Sequence, residues 1–165
     1  MQVRKDQEQN TGGMKVKTAI IYESKHHGNT KKLCDAIAEI GNVDLIEVQE
    51  AAKGIKWTEY DLVGFASGIA YSRYYRTISE TVSMVPAGTK VFFLYTCGRN
   101  DRDFSAGLKK KAEENGAVVL GSYGCSGYDT FGPFRLIGGV NKGHPDEEEI
   151  RGAVEFYRGI TEKEK

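Results

Sequence analysis

From Lys15 to the C-terminus the chain alternates between two kinds of segment. Short apolar runs, rich in β-branched and aromatic residues, fall at 18–22, 43–48, 62–66, 91–96 and 118–123. Runs of that length suit strands buried on both faces, as in a parallel sheet. Between them lie segments of helical period. Leu33, Ile37 and Ile40 recur at i, i+4 and i+7, with Ala36 beside them. Ile78, Val82 and Val85 repeat the spacing and stop before Pro86 and Gly88; Phe104, Leu108 and Ala112 line a third helix that Asn115-Gly116 closes. Ile150, Val154 and Tyr157, flanked by Ala153 and Ile160, line a last one, which opens with Pro145 and the acidic run Asp146-Glu147-Glu148-Glu149, charges that the helix dipole favours there. Residues 49–59 leave room for only a short helix. Five strands alternating with four or five helices predict a doubly wound α/β domain.

Composition narrows the reading. The chain has 165 residues, the size of one domain. Apolar residues are 39% of it, enough for one core, and no stretch approaches the ~20 apolar residues of a spanning helix. Lys plus Arg number 23 and Asp plus Glu 23, so the net charge is zero. Nucleic-acid binders are usually basic, and neither nucleic acid nor membrane is expected as a partner. The three cysteines, Cys34, Cys97 and Cys125, form no C-x-x-C pair, which argues for a reducing cytoplasm over a disulfide framework. Residues 1–13 are polar, lack aromatics and end in Gly12-Gly13; they read as a disordered leader or an expression remnant, with Met14 as natural start and the domain at 14–165.

A doubly wound sheet places ligands beyond the carboxyl ends of its strands. The loops at that edge, 23–29, 67–76, 97–103 and 124–144, are unusual in composition, while the opposite turns, Gly41-Asn42 and Gly88-Thr89, are short and plain. The first loop, Glu23-Ser24-Lys25-His26-His27-Gly28-Asn29-Thr30, leads straight into a helix. Backbone N–H groups at a helix start, with hydroxyl and amide side chains around them, form a site for a phosphate. An ordinary N-cap by Asn29 or Thr30 is the competing reading. The loop is neither a G-x-x-x-x-G-K-[ST] phosphate loop nor a G-x-G-x-x-G dinucleotide fingerprint. His26 and His27 lack a third ligand nearby, so no metal is expected.

Strand 18–22 followed by Ser24 and Gly28-Asn29-Thr30 resembles the phosphate loop of the flavodoxin family, and the resemblance extends over 14–165. It implies a three-layer α/β/α sandwich with a five-stranded parallel sheet in the order 2-1-3-4-5 and FMN at the switch point, a geometry for which flavodoxin is itself the type case. By that resemblance Ser24, His26, His27, Gly28, Asn29 and Thr30 hold the FMN phosphate; the histidines depart from the threonines frequent in the family, and Lys25 adds a cation. The loop Ser67-Gly68-Ile69-Ala70-Tyr71 lies at the flavin ring in the family, with Gly68 the candidate to present a carbonyl, since glycine turns its peptide cheaply. Tyr71 or Tyr74 is a candidate to stack on the ring or to pack against a helix, and Trp57 belongs to packing. Thr96-Cys97-Gly98-Arg99 resembles the second ring loop, with Cys97 by default a small apolar packing residue. Gly-Tyr-Asp-Thr-Phe-Gly-Pro at 127–133 and Lys-Gly-His-Pro at 142–145 are typical of one branch of flavodoxin-like proteins. Tyr128, Phe131 and Phe134 cover the flavin, face a partner, or form a cluster of their own.

The implied function is electron transfer between redox partner proteins through bound FMN, by a monomer or weak homodimer. The alternative is an FMN-dependent NAD(P)H oxidoreductase acting on quinones or similar acceptors; the carrier is the favoured reading. Electron-carrier flavodoxins are strongly acidic, and this chain is neutral. Arg73, Arg76, Arg99 and Arg102 stand in the ring-side loops against Asp101, Asp103 and Asp129. One added positive charge 10 Å from the ring contributes ~1.7 kcal/mol at a dielectric of 20, on the order of 70 mV for one electron. A second reduction potential less negative than that of an acidic flavodoxin is expected. A phosphoryl receiver would need an acidic cluster after the first strand, an aspartate after the third and a lysine after the fifth; the chain has Glu23 alone, Ser67 and Gly124. Ser67 and Ser126 lie in no G-x-S-x-G, so no catalytic nucleophile is assigned.

Overall fold

The computed structural model describes residues 15–165; the expected leader at 1–13 and the start at Met14 lie outside the described residues. Strands β1 (Lys17–Glu23), β2 (Asn42–Glu47), β3 (Leu62–Ala70), β5 (Lys90–Cys97) and β6 (Val118–Ser126) form a parallel sheet in the order β2-β1-β3-β5-β6. Counted among the parallel strands alone, this is 2-1-3-4-5. A sixth strand, β4 (Arg73–Tyr74), pairs antiparallel to the end of β3, Ile69 with Tyr74 and Ala70 with Arg73. The sheet therefore holds six strands where five were expected, and β3 runs four residues past the predicted 62–66 because its end has a hairpin partner.

Side chains of a strand alternate between faces, so each strand feeds two cores. Ile20 and Tyr22 of β1, with Phe92 and Leu94 of β5, pack beneath α1 (Asn29–Ile40) and α5 (Glu147–Glu162), where Leu33, Ile37, Ala153 and Tyr157 meet them. Ile21, Val63, Phe65 and Phe93 face the other way, toward α2 (Val48–Ala51), α3 (Arg76–Val82) and α4 (Ala106–Glu114). Phe65, Phe92 and Phe93 are fully buried, each contributing about 2–3 kcal/mol of transfer free energy. The helix between β2 and β3 is one turn long, as the short segment requires. Trp57 packs at the rim of the second core, and Tyr74 is buried there with its hydroxyl donating to the Leu94 carbonyl at 3.0 Å. Ile40 breaks its pattern: the last residue of α1 is 42% exposed. Helix α5 starts at a capping box in which Asp146 accepts from the Glu149 amide and Glu149 accepts from the Asp146 amide.

Candidate functional site

The carboxyl ends of β1, β3, β5 and β6 bring four loops to one edge. Their side chains close on a cleft between Ser24, Asn29, Gly68, Thr96, Gly98 and Tyr128, with only about 30 Å³ free between them. A hollow of about 250 Å³ adjoins it between the β3–β4 hairpin, Gly98-Arg99 and residues 131–134. The ring-side end is the open end.

At the phosphate end, His27 (φ 55°) and Gly28 (φ 65°) hold left-handed backbone and turn the chain into α1. Gly28 suits that turn because a Cβ would strain it. With glycine at the N-cap, no side-chain hydrogen bond caps the helix there. The Asn29 amide donates to His26 O at 3.4 Å and the Lys31 amide to Ser24 Oγ at 3.3 Å. Among the described residues the amides of His26, His27, Gly28 and Thr30 have no acceptor. This is a row of free donors at the positive end of a twelve-residue helix.

The side chains of that loop are committed to the protein. Thr30 is fully buried and its hydroxyl pairs with that of Thr96 at 2.8 Å, tying α1 to β5. His27 Nε2 lies 3.1 Å from Thr130 Oγ1, with its ring 4.3 Å from that of Tyr128. His26 leans on Phe131 at 5.8 Å. Lys25 pairs with the buried Glu23 carboxylate at 2.8 Å and lies over the Tyr75 ring; Glu23 also accepts from Thr77. Asn29 Nδ2 donates to the Tyr128 carbonyl at 2.8 Å. The amide oxygen of Asn29, Oδ1, is a buried acceptor with no partner among the described residues. Buried polar atoms are nearly always paired, so an orphan on a cleft wall points to a donor from a ligand.

That bears on FMN, the group the family implies. A phosphate needs donors, which the free amides offer, and a ribityl chain carries hydroxyls that donate, which Asn29 Oδ1 lacks. The residues fit the group at that end. Close approach is built in at Gly127, where a Cβ would stand 2.7 Å from Asn29 Nδ2.

At the ring-side end the expected residues scatter. Gly68, Ile69, Thr96, Cys97, Gly98 and Tyr128 line the cleft. Ser67 lies under it, fully buried, accepting from the Tyr75 amide at 3.0 Å and so fixing the hairpin. Tyr71 and Arg99 line the outer hollow. Cys97 is buried, its thiol donates to the Cys125 carbonyl at 3.5 Å, and burial, with Asp101 and Asp129 nearby, pushes its pKa up to about 12. At neutral pH it is an apolar wall, not a nucleophile. Gly127, Asp129, Ala70 and Tyr75 also line the cleft, outside the set of residues expected from the sequence. Asp129 is held by the Phe131 amide, which donates to it at 2.7 Å, and by a backbone bridge to Val140. Burial, then Glu23 and Asp129, raise the Tyr75 pKa to about 12. The arginines of this end are largely paired: Arg76 with Glu80 at 2.7 Å, and Arg99 and Arg102 with Asp101, each at 3.1 Å. Each carboxylate cancels part of its guanidinium's field, which lowers the net positive charge that this end presents.

Strand order, switch-point cleft and an amide row before α1 define a doubly wound protein of the flavodoxin fold. The flavodoxin domain model matches residues 19–115. An uncharacterized protein of Methanocaldococcus jannaschii is 34% identical over 148 residues, covering 88% of this chain and 98% of that one. Oxidised Flavodoxin 1 of Bacillus cereus superposes with a TM-score of 0.63 at 15% identity, over 88% of this chain and 97% of that one. A Lactobacillus acidophilus flavoprotein solved in complex with FMN gives 0.52 at 20% identity, over 67% and 93%. The chain belongs to the flavodoxin family. No helix of the described residues is long and apolar enough to cross a membrane.

Proposed function

We propose that the protein binds FMN at the carboxyl edge of its sheet and passes electrons between redox partner proteins. The observation that carries this reading is the set of unpaired amides of His26, His27, Gly28 and Thr30 beside the unpartnered Asn29 Oδ1. The FMN held by the L. acidophilus flavoprotein on the same fold supports it. Bound FMN supplies the one- and two-electron chemistry that the chain's own side chains lack.

The chain's residues divide the remaining work. The amides of His26, His27, Gly28 and Thr30 bind the phosphate, while Thr30, Ser24 and His27 hold the loop rather than the ligand. Asn29 accepts a ribityl hydroxyl through Oδ1 and keeps the fifth loop in place through Nδ2. Cys97, protonated, and Gly98 form an apolar floor, and Tyr128 and Phe131 exclude water. Because the cleft is nearly closed, entry of FMN parts Tyr128 and Phe131 from that floor, and association is slower than a diffusion-limited encounter. Reconstitution tests the reading: apoprotein titrated with FMN should show bound-flavin absorbance and quenched flavin fluorescence at one equivalent. No uptake at micromolar concentration would overturn it. The same preparation, mixed anaerobically with NADH or NADPH and no added reductase, separates a carrier from an oxidoreductase: a carrier stays oxidised for minutes, and an oxidoreductase bleaches within seconds.

A further inference from the structure

Strands β3 and β4 are joined by Tyr71 and Ser72 alone, and both hold left-handed backbone, φ 49° and 62°. A two-residue hairpin of this hand is met without strain by Asn-Gly or Gly-Gly. Tyrosine adopts it at a cost. Its ring stands 83% exposed at the tip, so burial does not offset that cost. Strain that packing leaves uncompensated points to a use outside the fold.

The surroundings of the tip have the make-up of a binding face. Phe131 meets the Tyr71 ring edge-on at 5.1 Å, and Pro133 and Phe134 continue the apolar surface along the outer hollow. Arg99 lines that hollow, and Arg73, Arg76 and Arg102 line an adjoining one that shares Ser72 and Phe104 with it; Arg76, Arg99 and Arg102 are 90%, 83% and 65% exposed. Their carboxylate partners lie lower: Asp101, which serves two arginines, is 33% exposed. Guanidinium groups are therefore the outermost charges on this side of a chain with zero net charge, and acid is concentrated elsewhere, at residues 146–149. An exposed aromatic ringed by arginine is the composition of interface hot spots.

We propose that this face, with Tyr71 as anchor and Arg73, Arg99 and Arg102 as its collar, docks an acidic redox-partner protein over the ring-side end of the cleft. The electron to be passed rests on the FMN reading above; the docking does not.

Two haem proteins serve as probes, acidic cytochrome b5 and basic cytochrome c. FMN-loaded, photoreduced protein is mixed with each in the ferric state, and every event moves one electron from the reduced protein to one haem iron, ferric to ferrous. With cytochrome b5 the rate should fall about tenfold between ~20 and ~300 mM NaCl, while with cytochrome c it should not fall. Arg73→Glu and Arg102→Glu should each lower the low-salt cytochrome b5 rate severalfold. Calorimetry of cytochrome b5 with the unloaded chain gives a second readout. Tyr71→Asn should weaken that binding about tenfold and yet raise Tm by about 2–4 °C, since asparagine tolerates the left-handed turn; a merely structural tyrosine would not separate the two. Salt-insensitive rates with both probes, or a salt-weakened rate with cytochrome c alone, would overturn the proposal. So would a dimer in sedimentation that Arg102→Glu dissociates, for the face would then join two copies of the chain. Salt-sensitive binding of cytochrome b5 without FMN uptake would remove the FMN reading and leave the docking; FMN uptake without discrimination between the probes would do the reverse.

Discussion

The two ends of the cleft are built on opposite principles. The phosphate end is main chain: amides at the start of α1, held in place by side chains that bond one another, Thr30 to Thr96 and Asn29 to the Tyr128 carbonyl. The ring-side end is side chain: a strained hairpin tip, a row of arginines and a turn at Gly132–Ile137 whose Leu136 and Ile137 are exposed. A main-chain site is selective for charge and indifferent to most substitutions around it. A side-chain face is where one protein of a shared fold comes to differ from another. In the function we propose, anchoring belongs to the first end and partner choice to the second.

The sharpest way to break this comparison is to remove the phosphate from the ligand. FMN should bind ~1000-fold more tightly than riboflavin, about 4 kcal/mol, measured by fluorescence quenching; equal affinities would mean that the amide row is not the anchor. Gly127→Ala should come next. Its Cβ would displace the Asn29 amide and weaken FMN ~10–100-fold in the same titration, whereas Arg102→Glu at the other end should change FMN affinity less than ~threefold. At the ring-side end, Tyr71→Gly should stabilise the apoprotein by ~1 kcal/mol in urea unfolding by relieving left-handed strain; a loss of stability would show that the tip is packed and not strained.

The smallest effect concerns pH and the base of the fifth loop. A hydrogen bond between His144 Nδ1 and Glu149 at 2.7 Å raises the His144 pKa above 6.5 against an opposing desolvation, with lesser help from the charges of Glu149 and Asp146. A raised folded pKa means that this stabilisation is fully present below the unfolded pKa and is lost as pH rises through the folded one. His144→Gln should therefore lower Tm below about pH 6, where the stabilisation is fully present, and flatten the fall in Tm from there upward. On the acid side Asp101, held low by Arg102 and Arg99, contributes above its unfolded pKa and loses that contribution as pH falls.

Much of this architecture was legible in the chain. The apolar runs marked the five parallel strands: β1, β3 and β5, covered on both faces, need no polar alternation, while the edge strand β2 alternates exposed and half-buried positions. The periods of α1, α3, α4 and α5 were readable because each helix buries one stripe. The donor-rich loop before α1 was readable as well, since small and polar residues gather there between a strand and a helix. The hairpin was not. Tyr71-Ser72 carries none of the Asn or Gly that announces such a turn, so β4 was missed and β3 was cut short at Ala66. Nor was the pairing of residues far apart in sequence. Thr30 and Ser67 stood among the ligand contacts that the family resemblance implies, but the fold turns one hydroxyl toward Thr96 and the other toward the Tyr75 amide. Gly127 carried a weak signal, a glycine ahead of Tyr128-Asp129, whose meaning appears only once Asn29 stands against it.

What this sequence settled by itself was local: where strands and helices run, and that donors gather before the first helix. Hydrophobic period and backbone preference act over a few residues and can be read there. Which hydroxyls remain free, which carboxylate quiets which arginine and where an aromatic ring is left in the open were decided by tertiary structure. Those depend on which segments become neighbours, and no short window of sequence contains both partners of such a contact.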